Sequence, residues 1–359
     1  MISSSFWSGK RVFLTGHTGF KGSWLSLWLK QLGADVTGFS LPPPTSPNVF
    51  ELASVDKSVQ SYEGDIRDLN ALRKCIQKTE PDLLFHLAAQ PLVRLSYREP
   101  VETFATNVMG TVNFLEALRS VPNAKAAVVV TTDKCYENRE WPWAYREIEP
   151  MGGHDPYSSS KGCAELVTSS YRRSFFTNPN GTKVGSARAG NVIGGGDFSE
   201  DRLIPDIVRA IQSKGSLEIR NPKATRPWQH VLEPLSGYLM LAERLASEDG
   251  MSFAEGWNFG PVDADAWPVQ KVVDTFIMSI QQDWLSPKYG VPSDLHEANW
   301  LKLDISKAAQ KLLWYPQLPL KTGLTWTSEW YAAALSGQDM RDFTLQQINA
   351  YQQVRSKYL

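Results

Sequence analysis

The chain has 359 residues, 42% of them apolar, and a formal net charge of −1. That length is enough for a large core with a second lobe, and near-neutrality leaves no electrostatic reason to seek nucleic acid or an anionic membrane, so any basic site must be local. No uninterrupted apolar run approaches the roughly 18 residues of a membrane span, the N-terminus MISSSFWSGKR has no long apolar segment behind positive charge, and the three cysteines (Cys75, Cys135, Cys163) lack metal-ligand spacing; together these point to a reducing cytoplasm and no metal.

In chain order, Arg11 to Thr15 reads as a short apolar strand, followed by Gly16, Gly19 and Gly22 and an amphipathic helix ending near Gly33. A Gly-x-x-Gly-x-x-Gly turn between strand and helix lets backbone N–H groups approach a diphosphate at the helix N-terminus, where the helix dipole favours anions. His17 stands where many dinucleotide folds have a small residue. Further strands are expected at Ala34 to Phe39, Val59 to Glu63, Asp82 to Leu87 and Ala126 to Thr131, with helices at Asp68 to Lys78, Pro100 to Arg119 and Tyr157 to Phe176. The run LPPPTSP, Leu41 to Pro47, cannot join a sheet ladder, so the second strand must end before it.

Strands alternating with helices between most of them predict an α/β fold, a doubly wound parallel sheet of Rossmann type with ligands at the strands' carboxyl ends. From Asn191 the pattern loosens into loops, with a helix near Ile204 to Gln212 and a tryptophan-rich C-terminal region. We therefore expect a cofactor-binding domain over residues 1–190, with Val184 to Arg188 and a segment near 255–262 returning to its sheet, and a smaller lobe over 191–359.

Tyr157 and Lys161 form a Tyr-x-x-x-Lys pair, which on a helix puts both side chains on one face. A tyrosine titrates near pH ~10 and is a poor base at neutrality, but a fixed ammonium one turn away favours the phenolate. Chemistry of this kind removes an alcohol proton while hydride leaves the same carbon.

The runs TGHTGFKG, GDIRD, HLAAQ, TNVMGT, TTDKCY, YSSSK and ARAGNVIGGGD occur in the order found in the extended short-chain dehydrogenase/reductases, and the chain resembles that superfamily along nearly all its length. Within it, Thr131 to Lys134 resembles the nucleotide-sugar 4,6-dehydratases, whose usual Thr-Asp-Glu triad here reads Thr132-Asp133-Lys134. That departure, with SLPPPTSP and RPWQHVLEPL, is most similar to the CDP-glucose 4,6-dehydratases. The resemblance implies a hydro-lyase acting on a nucleotide sugar, CDP-glucose, in deoxysugar (O-antigen/lipopolysaccharide) biosynthesis, and a homodimer or homotetramer paired through two long helices. Phe104, Val108, Val112 and Leu115 give the first of these helices an apolar stripe.

Residue roles follow from the same resemblance. Gly16, His17, Gly19, Phe20 and Gly22 would hold the cofactor's diphosphate end, Asp65 and Ile66 its adenine, and Leu87, Ala88 and Ala89 the nicotinamide ribose. Asn107 would brace either the sheet or the cofactor. After the second strand Phe39-Ser40-Leu41 offers neither the carboxylate that suits NAD nor the base that suits NADP. NAD is expected because a dehydratase recycles its hydride internally.

Tyr157 would take the C4 hydroxyl proton, Lys161 would hold the phenolate and the ribose, and Thr132 would align the C4 oxygen. The 4-ketone acidifies C5–H, and Asp133, if protonated, would protonate the departing C6 hydroxyl. Lys134 would be either the C5 base or the group that orients Asp133 and steadies enolate charge. Arg188, Asn191, Arg202, Arg226 and His230 lie in runs that in the family meet diphosphate and base. A 4-epimerase would share the glycine turn and the Tyr157/Lys161 pair but has no use for Asp133; a non-catalytic scaffold of this fold would have no need of the pair.

Overall fold

β4 (Leu83–His86) and β5 (Ala126–Val130) are buried at every residue, the pattern of strands covered by helices on both faces. They are the centre of a parallel sheet in the computed structural model, which describes residues 2–290 and 300–356. Its other strands are β1 (Arg11–Thr15), β2 (Asp35–Ser40), β3 (Gln60–Glu63), β6 (Lys183–Arg188) and β7 (Gly256–Asn258). Among the described residues the sheet has seven strands in the order β7-β6-β5-β4-β1-β2-β3. The order reverses between β1 and β4, whose register pairs Val12 with Leu83 and Thr15 with His86. A crevice opens beyond the carboxyl ends of two such strands, because their connections leave to opposite faces.

The doubly wound fold is as expected, with element ends shifted by one or two residues. β2 stops at Ser40, just before the proline-rich loop. Helix α1 (Phe20–Gln31) follows the glycine turn, and α2 (Leu69–Thr79) starts at Asp68, whose side chain accepts from the N–H groups of Asn70 and Ala71 at 3.0 Å. The expected helix from Pro100 to Arg119 is interrupted. It consists of α3 (Pro100–Phe104), a π-helical turn (Ala105–Met109) and α4 (Gly110–Leu118). Such turns recur at functional sites, and this one carries Asn107. Helix α5 (Pro156–Ser174) begins with Asp155 accepting from Ser158 N–H at 2.9 Å and Pro156 at its first position, where the missing N–H costs nothing.

Beyond Asn191 come α6 (Leu203–Ser213), α7 (Leu232–Leu245), α8 (Val269–Ser279), α9 (Leu320–Leu335) and α10 (Met340–Ser356). The return to the sheet is β7, with Trp257 beside Ala187. The later chain does more than return one strand. α7 packs over β5 and β6, and α10 packs on α1, where Tyr351 meets Trp28 edge-on at 5.6 Å. Trp24, Trp28, Trp257, Trp314 and Trp330 are fully buried in a core that runs through both halves of the chain. Among the described residues no helix is long and apolar enough to cross a membrane.

Candidate active site

The glycine turn is built by close approach. Gly16 has φ +77°, and a Cβ there would lie 2.6 Å from the backbone nitrogen of Ala88; a Cβ on Gly22 would lie 2.1 Å from the carbonyl oxygen of Gly16. Gly19 caps α1 without any side chain, so the first-turn N–H groups are left for an anion such as a dinucleotide's diphosphate. Phe20 packs against the main core. His17 keeps its backbone in the turn while its side chain points into the fold. Its ring is fully buried over Gly38, with Nε2 2.7 Å from Ser61 Oγ, and burial pushes it down to about 4. It serves as packing between the turn, β2 and β3.

The segments after β3 and β4 leave the same carboxyl edge of the parallel sheet. Asp65 is held by Arg67, which donates through its backbone N–H at 2.8 Å and its Nε at 2.9 Å; these bonds lower the carboxyl below its usual range. Ile66 is buried against Gly110. Leu87, Ala88 and Ala89 follow β4 directly. Asn107 is placed as a brace: its Oδ1 accepts from Gln90 N–H at 2.8 Å, and its Nδ2 donates to Gln90 O at 3.0 Å and Ser160 Oγ at 2.9 Å.

At the carboxyl end of β5, Thr132 has extended backbone and caps a short turn, Asp133–Cys135. Its hydroxyl donates to Asp133 Oδ1 at 2.9 Å and accepts from the Lys134 N–H at 3.4 Å. Asp133 is 1% exposed, and its Oδ2 is buried with no hydrogen-bond partner. An orphaned acceptor in this position is available to a ligand hydroxyl. Opposite it, a Cβ on Gly190 would sit 2.0 Å from Asp133 Cγ. Gly190 is thus needed for the carboxyl to fit, a role invisible in the run ARAGN until β6 is laid beside β5.

Tyr157 and Lys161 lie one turn apart on α5, both buried, as the spacing predicts. The expected electrostatics differ. Burial pushes the phenol up to about 12, opposed by a hydrogen bond with Thr132, with Asp133 raising it further and Arg202 lowering it; Lys161 is not among the groups acting most strongly. Burial also pushes Lys161 down to about 8, and its Nζ donates to Val130 O at 3.4 Å. Desolvation dominates for both groups because both are buried. Lys21, absent from the candidate residues read from the sequence, reaches into this cluster. Its Nζ is 3.5 Å from Tyr238 OH, and burial together with Arg202 and Lys161 pushes it down to about 7.

The expected substrate contacts divide. Arg202 faces the cluster, with Nη1 donating to Asp197 Oδ2 at 2.7 Å and its charge acting on Lys21 and Tyr157. Asn191 adopts left-handed backbone, φ +47°, at the start of the loop after β6, and Arg226 is partly buried on a short strand, Thr225–Pro227. Arg188 does not reach the crevice: it is 5% exposed and paired with Glu165 at 2.8 Å inside the sheet. His230 is likewise enclosed, edge-on to Trp24 and Trp326 at 5.9 Å each, and burial pushes it down to about 3. In both cases apolar or ionic packing inside the fold takes the polar group away from ligand.

A crevice that joins a diphosphate cradle to a buried tyrosine, lysine and aspartate has the parts for alcohol oxidation coupled to acid–base chemistry. The family model described as GDP-mannose 4,6 dehydratase matches residues 13–327. The chain belongs to this family. It is 54% identical over 357 residues to the CDP-glucose 4,6-dehydratase of Salmonella typhimurium, covering 98% of both chains. A dTDP-glucose 4,6-dehydratase from Streptomyces venezuelae, solved with NAD bound, superposes with a TM-score of 0.75 at 25% identity, over 92% of this chain and 99% of that one. The UDP-glucose 4-epimerase of Thermotoga maritima gives 0.78 at 23% identity, over 90% and 99%, a likeness of fold.

Proposed function

We propose that the protein is a CDP-glucose 4,6-dehydratase that uses bound NAD and yields CDP-4-keto-6-deoxyglucose in cytoplasmic deoxysugar biosynthesis. The observation that carries this reading is the 54% identity across 98% of the chain, joined to a buried Thr132–Asp133–Tyr157–Lys161 cluster. The residues fit the cofactor. The Gly16/Gly22 cradle would be filled by any Cβ, and the uncapped start of α1 faces it. Held by the turn from Gly16 to Gly22, NAD would supply the hydride acceptor and donor that a redox-neutral C4-to-C6 transfer needs.

The side chains handle the protons. Tyr157 accepts the C4 hydroxyl proton, Thr132 positions that oxygen, and Lys161 offsets the phenolate charge. Asp133, whose Oδ2 is otherwise unpartnered, delivers a proton to the departing C6 hydroxyl so that it leaves as water. Lys134 takes the C5 proton or steadies the enolate. Arg202 and Arg226 bind the diphosphate, where two arginines suit two phosphates. An epimerase would have no step for Asp133.

The main division of labour is a cofactor-binding part built largely from residues 1–190 and a nucleotide-sugar lobe from the later chain. We further propose a homodimer or homotetramer: Val101, Phe104 and Met109 on the α3 side and Leu166 on α5 are exposed apolar residues, whereas Leu115 of the expected stripe packs in its own core. CDP-glucose deuterated at C4 is expected to give product labelled at C6 with no stoichiometric release of NADH. Label in bulk NADH, or no turnover of CDP-glucose, would overturn the reading.

A further inference from the structure

A buried ion pair ties together the two halves of the proton-handling site. Glu165 lies one turn beyond Lys161 on α5, is 4% exposed, and has both oxygens occupied. Oε1 accepts from Thr131 Oγ1 at 2.5 Å, and Oε2 accepts from Ser186 Oγ at 2.7 Å and Arg188 Nη2 at 2.8 Å. Arg188 in turn donates through Nη1 to Tyr136 OH at 2.6 Å, and that hydroxyl donates to Asn258 Oδ1 at 2.7 Å. Thr131 and Tyr136 are the two ends of the segment carrying Thr132, Asp133 and Lys134. The turn that bears the acid is therefore suspended at both ends from one carboxylate–guanidinium pair, which is anchored on the helix that bears Tyr157.

Stability does not explain such a pair, because well-packed apolar residues of similar size often do as well or better in its place. We propose that Glu165, acting through Arg188, is a positioning residue of the active site, fixing the Thr132–Asp133–Lys134 turn relative to Tyr157 and Lys161. The inference rests on the dehydratase reading for what is positioned, and on geometry alone for the positioning.

The same carboxylate has a second effect. Burial pushes Lys161 down to about 8, and the carboxylate of Glu165 is the charge that opposes it, the buried Cys135 thiol being pushed up and neutral. Lys161 also has Val130 O from β5 beside it and acts on Lys21 of α1 and His86 of β4. Of these neighbours Glu165 supplies the negative charge on its own helix. At the 5–6 Å spacing of i,i+4 residues and an effective dielectric constant of about 20, its loss should lower Lys161 by roughly two pH units.

The test uses the whole enzyme and compares Glu165→Gln with Glu165→Asp. Nitrogen-15 NMR of the lysine side chains, with Lys161 assigned by its absence in Lys161→Met, is expected to show the Lys161 titration moved to lower pH in Glu165→Gln and back towards wild type in Glu165→Asp. In turnover of CDP-glucose, both variants should lose kcat by about tenfold or more with KM little changed, since the shorter aspartate cannot span Thr131 and Arg188 together. An unshifted Lys161 titration and a kcat within twofold of wild type in folded Glu165→Gln would overturn the inference. Wild type inert towards CDP-glucose would instead overturn the dehydratase reading, while the NMR titration still decides the placement of Glu165. If Glu165→Gln does not fold, the apolar exchange Glu165→Leu with Arg188→Met supplies the same two measurements: a wild-type titration and kcat in that double variant overturn the inference, and shifted values support it.

Discussion

The turn after β5 and the stretch from Arg188 to His230 both carry polar residues that the sequence assigns to ligand, and they behave differently in the fold. In the first, Thr132 and Asp133 stay together at the carboxyl end of a sheet strand, with a carboxylate oxygen left unpartnered. In the second, Arg202 reaches the crevice while Arg188 is committed to Glu165 and His230 is enclosed by two tryptophans. The difference lies in where the residue sits relative to its strand: Thr132 and Asp133 lie just beyond β5, outside its ladder, whereas Arg188 is still the last residue of β6 and its side chain is taken up inside the sheet's packing. The stretch that winds from β6 to α7 carries no such positional cue. Each of its side chains points where local packing sends it.

The largest effects should come from the strand-end and helix pair. Tyr157→Phe is expected to slow C4 oxidation by on the order of 10² to 10⁴, as for other positioned acid–base groups, followed by single-turnover absorbance of enzyme-bound NADH. Asp133→Asn should pass that step and stall, so NADH absorbance accumulates on the enzyme. Lys134→Met should also lose dehydration by at least roughly 10²; loss of C5 proton exchange with deuterated solvent marks it as the base, and persistent exchange marks it as the enolate's partner. Normal dehydration by either of these last two would break the contrast between the regions.

The two arginines sharpen it. Arg188→Met leaves Glu165 buried without its partner and is expected to cost about 3–5 kcal/mol of stability, read by denaturant unfolding. Arg202→Met also leaves a buried carboxylate, Asp197, without its partner, but Arg202 is itself about a third exposed, so it should cost less stability than Arg188→Met while raising KM for CDP-glucose by about tenfold or more, the worth of a charge-assisted phosphate contact. The opposite pattern would reverse their assignment.

The smallest effect concerns the enclosed imidazoles. His17, His86 and His230 are pushed down to about 4, 3 and 3 by burial, with Lys161 adding to the shift of His86. An unfolded histidine binds a proton near pH 6.5, and the folded ones do not until much lower pH. The stability they contribute is therefore complete above about 6.5 and is lost as pH falls towards their folded values. Between pH 7 and 6 the three together should cost about 2 kcal/mol, measured by urea unfolding at each pH. A flat profile across that interval would show that these rings take up protons in the folded state.

By itself the sequence determined the strand order's raw material, the glycine turn, the Tyr157–Lys161 face and the Thr132–Asp133–Lys134 segment. These are local patterns: a period of two or 3.6, a turn that needs no Cβ, a spacing of four on a helix. It did not determine the protonation balance of Tyr157 and Lys161, the inward turn of His17, or the reach of Lys21. Nor did it show that Gly190 makes room for Asp133, or that α7 and α10 from the distant C-terminal half complete the layers around the first domain. Those depend on which surfaces meet across long sequence separations. Desolvation and steric fit are properties of an assembled neighbourhood, and no spacing along the chain encodes them.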